Sequence, residues 1–195
     1  MSHAPIVDSR GHTYAKPLSA MRAYLEAIDA HKYAAPAPAH PSAVVLAALR
    51  PKMLELARER TAGAHPYFVP PAHTVRAREI LGPLPVLAPE QVVVLERDPD
   101  RARELGRHHM AIYLRLPNYV ANLRTLGFEE SDVADGGSDR LVDAIVAWGD
   151  EEAIATRVRE HLDAGADHVA VQPYAETPAD ALAALERLAP ALLSL

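Results

Sequence analysis

The chain has 195 residues, of which 49% are apolar and 24% charged, and its 20 basic against 26 acidic side chains give a net charge of −6. This composition suits a folded chain with a core of its own and excludes a disordered one. No basic block marks a nucleic-acid surface, no run of about 18 apolar residues forms a membrane-spanning helix, and the lack of cysteine excludes disulfides and thiolate metal sites.

The opening MSHAPIVDSRGH lacks a charged segment ahead of an apolar core and is no secretory signal, so a cytoplasmic location is expected. SHAPIV within it is a candidate strand remnant. Residues 17–30, PLSAMRAYLEAIDA, read as a helix. Pro17 suits its first position, and Leu18, Met21, Leu25 and Ile28 form one stripe. The Pro/Ala-rich residues 34–43 read as an extended connection. Val44–Leu49 is a short β-branched run bounded by proline-containing turns, which predicts a strand buried on both faces. A helix from Pro51 to about Arg60 follows, then a strand over Ala64–Val69, a helix over residues 73–82 and a strand over Gln91–Glu96.

Asp98 is placed to cap the next helix, with Pro99 in its first turn. Ala102, Leu105, His109, Ile112 and Leu116 are expected to share a face. Tyr119, Leu123 and Leu126 belong to a second helix ended by Gly127. EESDVADGG reads as an acidic connection, and Ser138 caps a helix carrying Leu141, Val142, Ile145 and Val146. Asp150, Glu151 and Glu152 put negative charge at a further helix N-terminus, where the dipole favours it. The last strand is expected over His168–Gln172, and a helix runs from Pro178.

Strands alternating with helices imply parallel pairing through right-handed crossovers. With four convincing strands and a barrel needing about 250 residues, the chain is an open sheet or part of a (β/α)8 barrel.

Three stretches carry a resemblance: VVLAALRPKMLELARERTAGAHPYFVPPAHTVRAREILG, RLVDAIVAWGDEEAIATRVREHLDAGADHVAVQP and the opening SHAP. They resemble the C-terminal part of luciferase-like monooxygenases. The resemblance is strongest to the actinobacterial branch described as coenzyme F420-dependent (deazaflavin) oxidoreductases, and Ala, Arg and Pro enrichment fits a GC-rich genome. It implies a TIM-barrel α/β fold that is incomplete and lacks roughly the first three strands. Met1–Pro5 would end the fourth strand, Val44–Leu49 would be the fifth, Ala64–Val69 the sixth, Gln91–Glu96 the seventh and His168–Gln172 the eighth. Residues 1–195 would form one domain with a helical insertion at about 99–148.

The same resemblance implies a cofactor-facing turn at Ala47, Ala48, Leu49 and Arg50, where small residues let backbone amides approach a phosphate. The family pattern places glycine at the position of Arg50. Either the guanidinium is a ligand for phosphate or for the deazaflavin's acidic tail, or it is a solvated residue that fills the glycine's space. Ser2 and His3 join the expected cofactor site. His65 is the candidate catalytic residue, able to hydrogen-bond the deazaflavin or substrate or to move a proton. Tyr67 and Gln172 would border the substrate. For each of these histidines and polar strand ends a purely structural role is the alternative.

His109 is expected to pack in the core, and Trp148 likewise. No His-Glu-x-x-His or other spaced ligand set occurs, so no metal site is predicted. The implied activity is hydride transfer between the deazaflavin and a small organic substrate, with an FMN-dependent monooxygenase as the alternative. The rival reading is a non-catalytic barrel fragment or pairing subunit, which associates with itself or another chain through an exposed strand edge.

Overall fold

The computed structural model describes residues 4–32, 34, 36, 39–40 and 42–195. Two helices, α1 (Ala4–Ser9) and α2 (Pro17–Ala30), precede a run of alternating elements: β1 (Val45–Leu46), α3 (Pro51–Arg60), β2 (Gly63–Ala64), α4 (Pro71–Leu81), β3 (Val86–Leu87) and β4 (Glu90–Val94). Next come α5 (Pro99–Met110), a 3-10 turn (Tyr113–Arg115), α6 (Pro117–Thr125), α7 (Glu130–Val133) and α8 (Asp139–Ile145). The chain closes with β5 (Ala147–Trp148), α9 (Glu151–Asp163), β6 (Ala170–Pro173) and α10 (Pro178–Leu192).

Local chemistry sets where the helices begin. Proline stands at the start of α2, α3, α4, α5, α6 and α10, where a missing N–H costs nothing and the fixed φ is already helical. Asp98, Ser138, Asp150 and Thr177 cap their helices by accepting the N–H three residues on. The expected caps at Asp98 and Ser138 are therefore present, and Asp150 is a cap as its position implied.

Every strand pairing is parallel. β1, β2 and β3 form one ladder, and β4 pairs with β6 along its length and with β5 at Val93 and Val94. β3 and β4 are two halves of one strand broken at Ala88–Pro89. Ala88 N–H still donates to Ala64 at 3.0 Å, and Glu90 N–H donates to Pro66 at 2.9 Å. The consecutive order β1, β2, β3/β4, β6 is an arc of a parallel α/β barrel. Gly63 is required in it: a Cβ there would lie 2.0 Å from the Val86 carbonyl oxygen.

Helices cover both faces. Leu46, Ala64 and Leu87 pack with α2, α3 and α4, whereas Val92 and Val94 pack with α5, α6 and α8. Val93, pointing the other way, packs with Ile154 of α9 and Leu188 of α10.

Several expectations need correction. The strands are shorter than Val44–Leu49, Ala64–Val69 and Gln91–Glu96, because prolines and irregular backbone end the ladders early. The last one is displaced slightly, to Ala170–Pro173. Val86–Leu87 and Ala147–Trp148 are strands too short to show any periodicity. Ala4 and Pro5 lie in α1 and do not end a strand; Pro5 has no N–H for a ladder, and a helix's first turn tolerates it. Met1, Ser2 and His3 lie outside the described residues. The helix expected to run past Ile112 stops at Met110, leaving Ile112 exposed. The acidic EESDVADGG connection contains α7, closed by reciprocal bonds between Glu129 and Asp132.

Candidate functional site

Parallel pairing puts all strand carboxyl ends on one rim, the edge on which barrel enzymes build their sites. After β1 the chain passes through Ala47, Ala48 and Leu49 to Arg50, and after β2 through His65 and Tyr67. Six of the expected residues meet here, whereas Arg50 lines a neighbouring cavity and Ser2 and His3 lie outside the described residues. Ala47, Ala48, Leu49, His65 and Tyr67 line one cavity of about 270 Å³, together with Tyr113, Asn118 and Tyr119. Gln172 reaches the same place from β6, because its Oε1 accepts the Tyr67 hydroxyl proton. The Tyr113 hydroxyl lies 3.1 Å from that of Tyr67. No lining side chain of this cavity is an acid, a lysine or an arginine.

His65 is tied down at one nitrogen. Its Nδ1 lies 2.6 Å from the Ala88 carbonyl oxygen. A carbonyl only accepts, so Nδ1 carries the proton, and in the neutral ring Nε2 keeps its lone pair. The Tyr67 phenol is held well above its usual range, chiefly by burial, with Tyr113 and the nearby Glu90 charge adding to it. Burial, then Tyr113 and Glu90, push Tyr119 up to about 12.

A second cavity of about 570 Å³ adjoins the first, sharing Leu49 and Asn118, and is flanked by Arg50 and Lys52 at the start of α3. Arg50 has φ −113° and ψ 158°, an extended conformation open to any residue, so no glycine is demanded there. Its carbonyl accepts from Met53 and Leu54, and its exposed guanidinium has no partner among the described residues. The turn is fixed from below by His73, whose buried Nε2 donates to the Leu49 carbonyl at 2.7 Å.

The turn after β2 holds a bulky residue in an unusual conformation. Phe68 has φ 59°, and its ring stacks on Tyr113 at 4.8 Å. Its N–H donates to Glu90 Oε2 at 3.2 Å. Glu90 is only 4% exposed, its Oε1 has no partner among the described residues, and burial pushes its carboxyl up to about 7.

Glu90, His73, Tyr113 and Tyr119 were not among the expected site residues. Glu90 carries a faint signal, a lone acid separated only by Gln91 from a buried Val-Val-Val run. The others carry none, since helix residues enter the site only through tertiary packing.

His109, His161 and the tryptophan are structural. His109 is buried against Tyr113 and Tyr174, and burial lowers it to about 4. His161, fully buried, donates from Nε2 to Gln91 and accepts at Nδ1 from Thr74, and it too is lowered to about 4. Trp148 donates to Asp143 and lies under Arg103. Among the described residues no cluster of three His, Asp or Glu side chains is placed to hold a metal, and no helix is long and apolar enough to cross a membrane.

No protein-family profile and no curated protein matches this sequence. Solved structures do. The EDTA monooxygenase from Chelativorans sp. BNC1 aligns with all of this chain and 64% of its own, at a TM-score of 0.68 and 14% identity. An F420-dependent secondary alcohol dehydrogenase, solved with an F420–acetone adduct, aligns with 80% of this chain and 50% of its own, at 0.57 and 12%. The coenzyme F420-dependent tetrahydromethanopterin reductase from Methanopyrus kandleri aligns with 76% and 50%, at 0.55 and 16%. The chain thus spans between half and two thirds of the length of these structures. At such identities the likeness is one of fold. It agrees with the resemblance carried by the sequence: this α/β chain shares the parallel strand–helix fold of these structures over part of their length.

Proposed function

We propose that this chain bears part of the active face of an oxidoreductase that uses the deazaflavin coenzyme F420 and acts on a small organic substrate. One observation carries the reading: two adjoining cavities at the carboxyl ends of β1 and β2, one small, aromatic and without acid, lysine or arginine, the other larger and flanked by two cations at a helix N-terminus. The F420-dependent enzymes among the structures of like fold support the choice of cofactor.

The residues present fit such a group. Ala47 and Ala48 leave the backbone open to close approach, and the Arg50 and Lys52 side chains would take its phosphate or acidic tail, helped by the α3 dipole. When bound, the deazaflavin supplies hydride chemistry at its C5. His65 handles the proton. The lone pair on His65 Nε2, which lines the cavity, would take the proton of a substrate hydroxyl there, or return one to a carbonyl oxygen in the reverse direction. Tyr67 and Gln172 set the polar end of the pocket, and Tyr113 and Tyr119 give it aromatic walls.

Fluorescence titration of the purified chain with F420 and with FMN tests this reading. Tighter binding of F420, weakened by Arg50→Ala, is the expected result. Tighter binding of FMN would replace the cofactor, and binding of neither would refute the reading for this chain alone.

A second reading rests on the sheet's edges. Among the described residues β1 pairs only with β2, and β6 pairs only with β4. Val45 of β1, on the face opposite the helix-packed Leu46, is 40% exposed. Such an edge favours pairing with a further strand, in a complex whose other member completes the barrel. Sedimentation of the chain at several concentrations distinguishes a stable monomer from an assembly.

A further inference from the structure

Glu90 begins β4 beside the turn that delivers Tyr67 to the cavity. Register places its side chain on the same face of the sheet as Tyr67 and Gln172, since residues 90 and 92 of β4 pair with 170 and 172 of β6. It is buried, yet its two oxygens are used unequally. Oε2 accepts the Phe68 N–H, while Oε1 has no partner among the described residues.

The backbone it grips is strained. A phenylalanine at φ 59° persists only where its surroundings hold it. Two restraints are visible. The ring is clamped between Tyr113, stacked at 4.8 Å, and Tyr119, edge-on at 5.4 Å. The amide is held by Glu90. With both in place, Tyr67 on the preceding residue turns its hydroxyl to Gln172.

We propose that Glu90 is a positioning residue of this pocket: by accepting the Phe68 N–H it holds the Tyr67–Phe68 turn in its left-handed form, and without that grip Tyr67 leaves Gln172. An ionised carboxylate accepts an N–H more strongly than a neutral acid does. Burial opposes ionisation, so the change of state falls at about pH 7. The titratable groups facing Glu90 are the Tyr67 phenol from the turn and the Tyr119 phenol from α6, both held neutral through that range, and no ion pair engages it among the described residues. The grip therefore tightens as pH rises through about 7. The proposal rests on the reading of the cavity as a substrate pocket only for what the placement serves. Its test needs no ligand, so the two can fail separately.

The test measures hydrogen exchange of the Phe68 amide and nitration of Tyr67 by tetranitromethane in the wild type, Glu90→Gln and Glu90→Leu. Leucine removes the acceptor, whereas glutamine keeps a carbonyl in its place. The leucine variant should exchange the Phe68 amide about tenfold faster, the factor for loss of one hydrogen bond to a charged group, and Tyr67 should become reactive. The glutamine variant should stay near the wild type. Protection of Phe68 against the local opening that breaks this bond while Glu90 stays buried, corrected for intrinsic exchange, should rise from about pH 6 to about pH 8 in the wild type and not in Glu90→Gln. Wild-type exchange and nitration in Glu90→Leu would overturn the proposal, as would a glutamine variant as loose as the leucine one. If Glu90→Leu does not fold, a flat wild-type pH profile overturns it alone.

Discussion

Replacing Glu90 by glutamine should change how stability depends on pH. The wild-type carboxyl sits at about 7 in the folded chain against 4.5 when unperturbed, because burial disfavours its charge. Between those values the unfolded chain has released the proton and the folded chain has kept it. Stability therefore falls as pH rises across the window. The gap of 2.5 units between the two values is worth about 3 kcal/mol. The contribution is fully present below pH 4.5 and is lost once pH passes about 7.

Glutamine does not titrate, so the difference in unfolding free energy between Glu90→Gln and wild type should move by about 3 kcal/mol in favour of the variant from pH 4.5 to above 7. For a chain of this size that is a relative shift in Tm of about 6–12 °C. The glutamine NH2 adds a cost of its own, since nothing among the described residues stands ready to accept from it at Oε1. That cost is constant with pH, so the slope and not the offset is diagnostic. Urea denaturation of both proteins across the range measures it. His73, His109 and His161 are all lowered by burial and add an opposite slope, with stability rising as pH climbs toward the ordinary histidine range. They are common to both proteins and cancel in the difference. Parallel curves for the two proteins would refute the argument.

Four further outcomes follow from the same geometry. Arg50→Ala should weaken F420 binding by about three- to tenfold, the worth of one solvent-exposed charge contact, with unchanged affinity in a fluorescence titration counting against a ligand role. His161→Leu strands Thr74 and Gln91 inside the core and should cost about 2–4 kcal/mol by urea denaturation. Gly63→Ala drives a methyl group into the Val86 carbonyl and should cost more than about 3 kcal/mol or abolish soluble expression; a well-folded variant would show that β2 and β3 can separate. Tyr67→Phe removes the hydroxyl shared by Gln172 and Tyr113. It should lower stability by about 1 kcal/mol and impair any F420-linked turnover far more than cofactor binding.

The sequence announced the rim residues and concealed those that support them. His65 and Tyr67 were expected within a strand over Ala64–Val69 and in fact follow the shorter β2 by one and three residues; the family resemblance, not the strand bounds, pointed to the active edge. Val44–Leu49 and Gln91–Glu96 were visible because β-branched runs between prolines have few other uses. Val86–Leu87 and Ala147–Trp148 were not, because two residues carry no period; they are strands only because β2 and β4 offer them a ladder. Glu90 is the sharper case. Its role depends on three facts of tertiary origin: the break at Ala88–Pro89, the parity that turns it toward Tyr67, and the φ of Phe68. Pro89 marks the first in the sequence; the parity and the φ leave no trace in spacing or composition.

Arg50 shows how structure can change the meaning of a departure from a pattern. An arginine in place of an expected glycine raises two separate questions, one about backbone strain and one about charge. At φ −113° the strain question closes, since glycine's freedom is not used there. Gly63, with no room for a Cβ, is where the fold does depend on glycine. What remains at Arg50 is an exposed guanidinium beside Lys52, at the mouth of the larger cavity and at the start of a helix. Because removing that side chain should leave the turn's backbone in place, any loss of affinity in Arg50→Ala reports on charge alone. The carbonyl of Arg50 still closes the first turn of α3, and His73 still fixes Leu49 beside it.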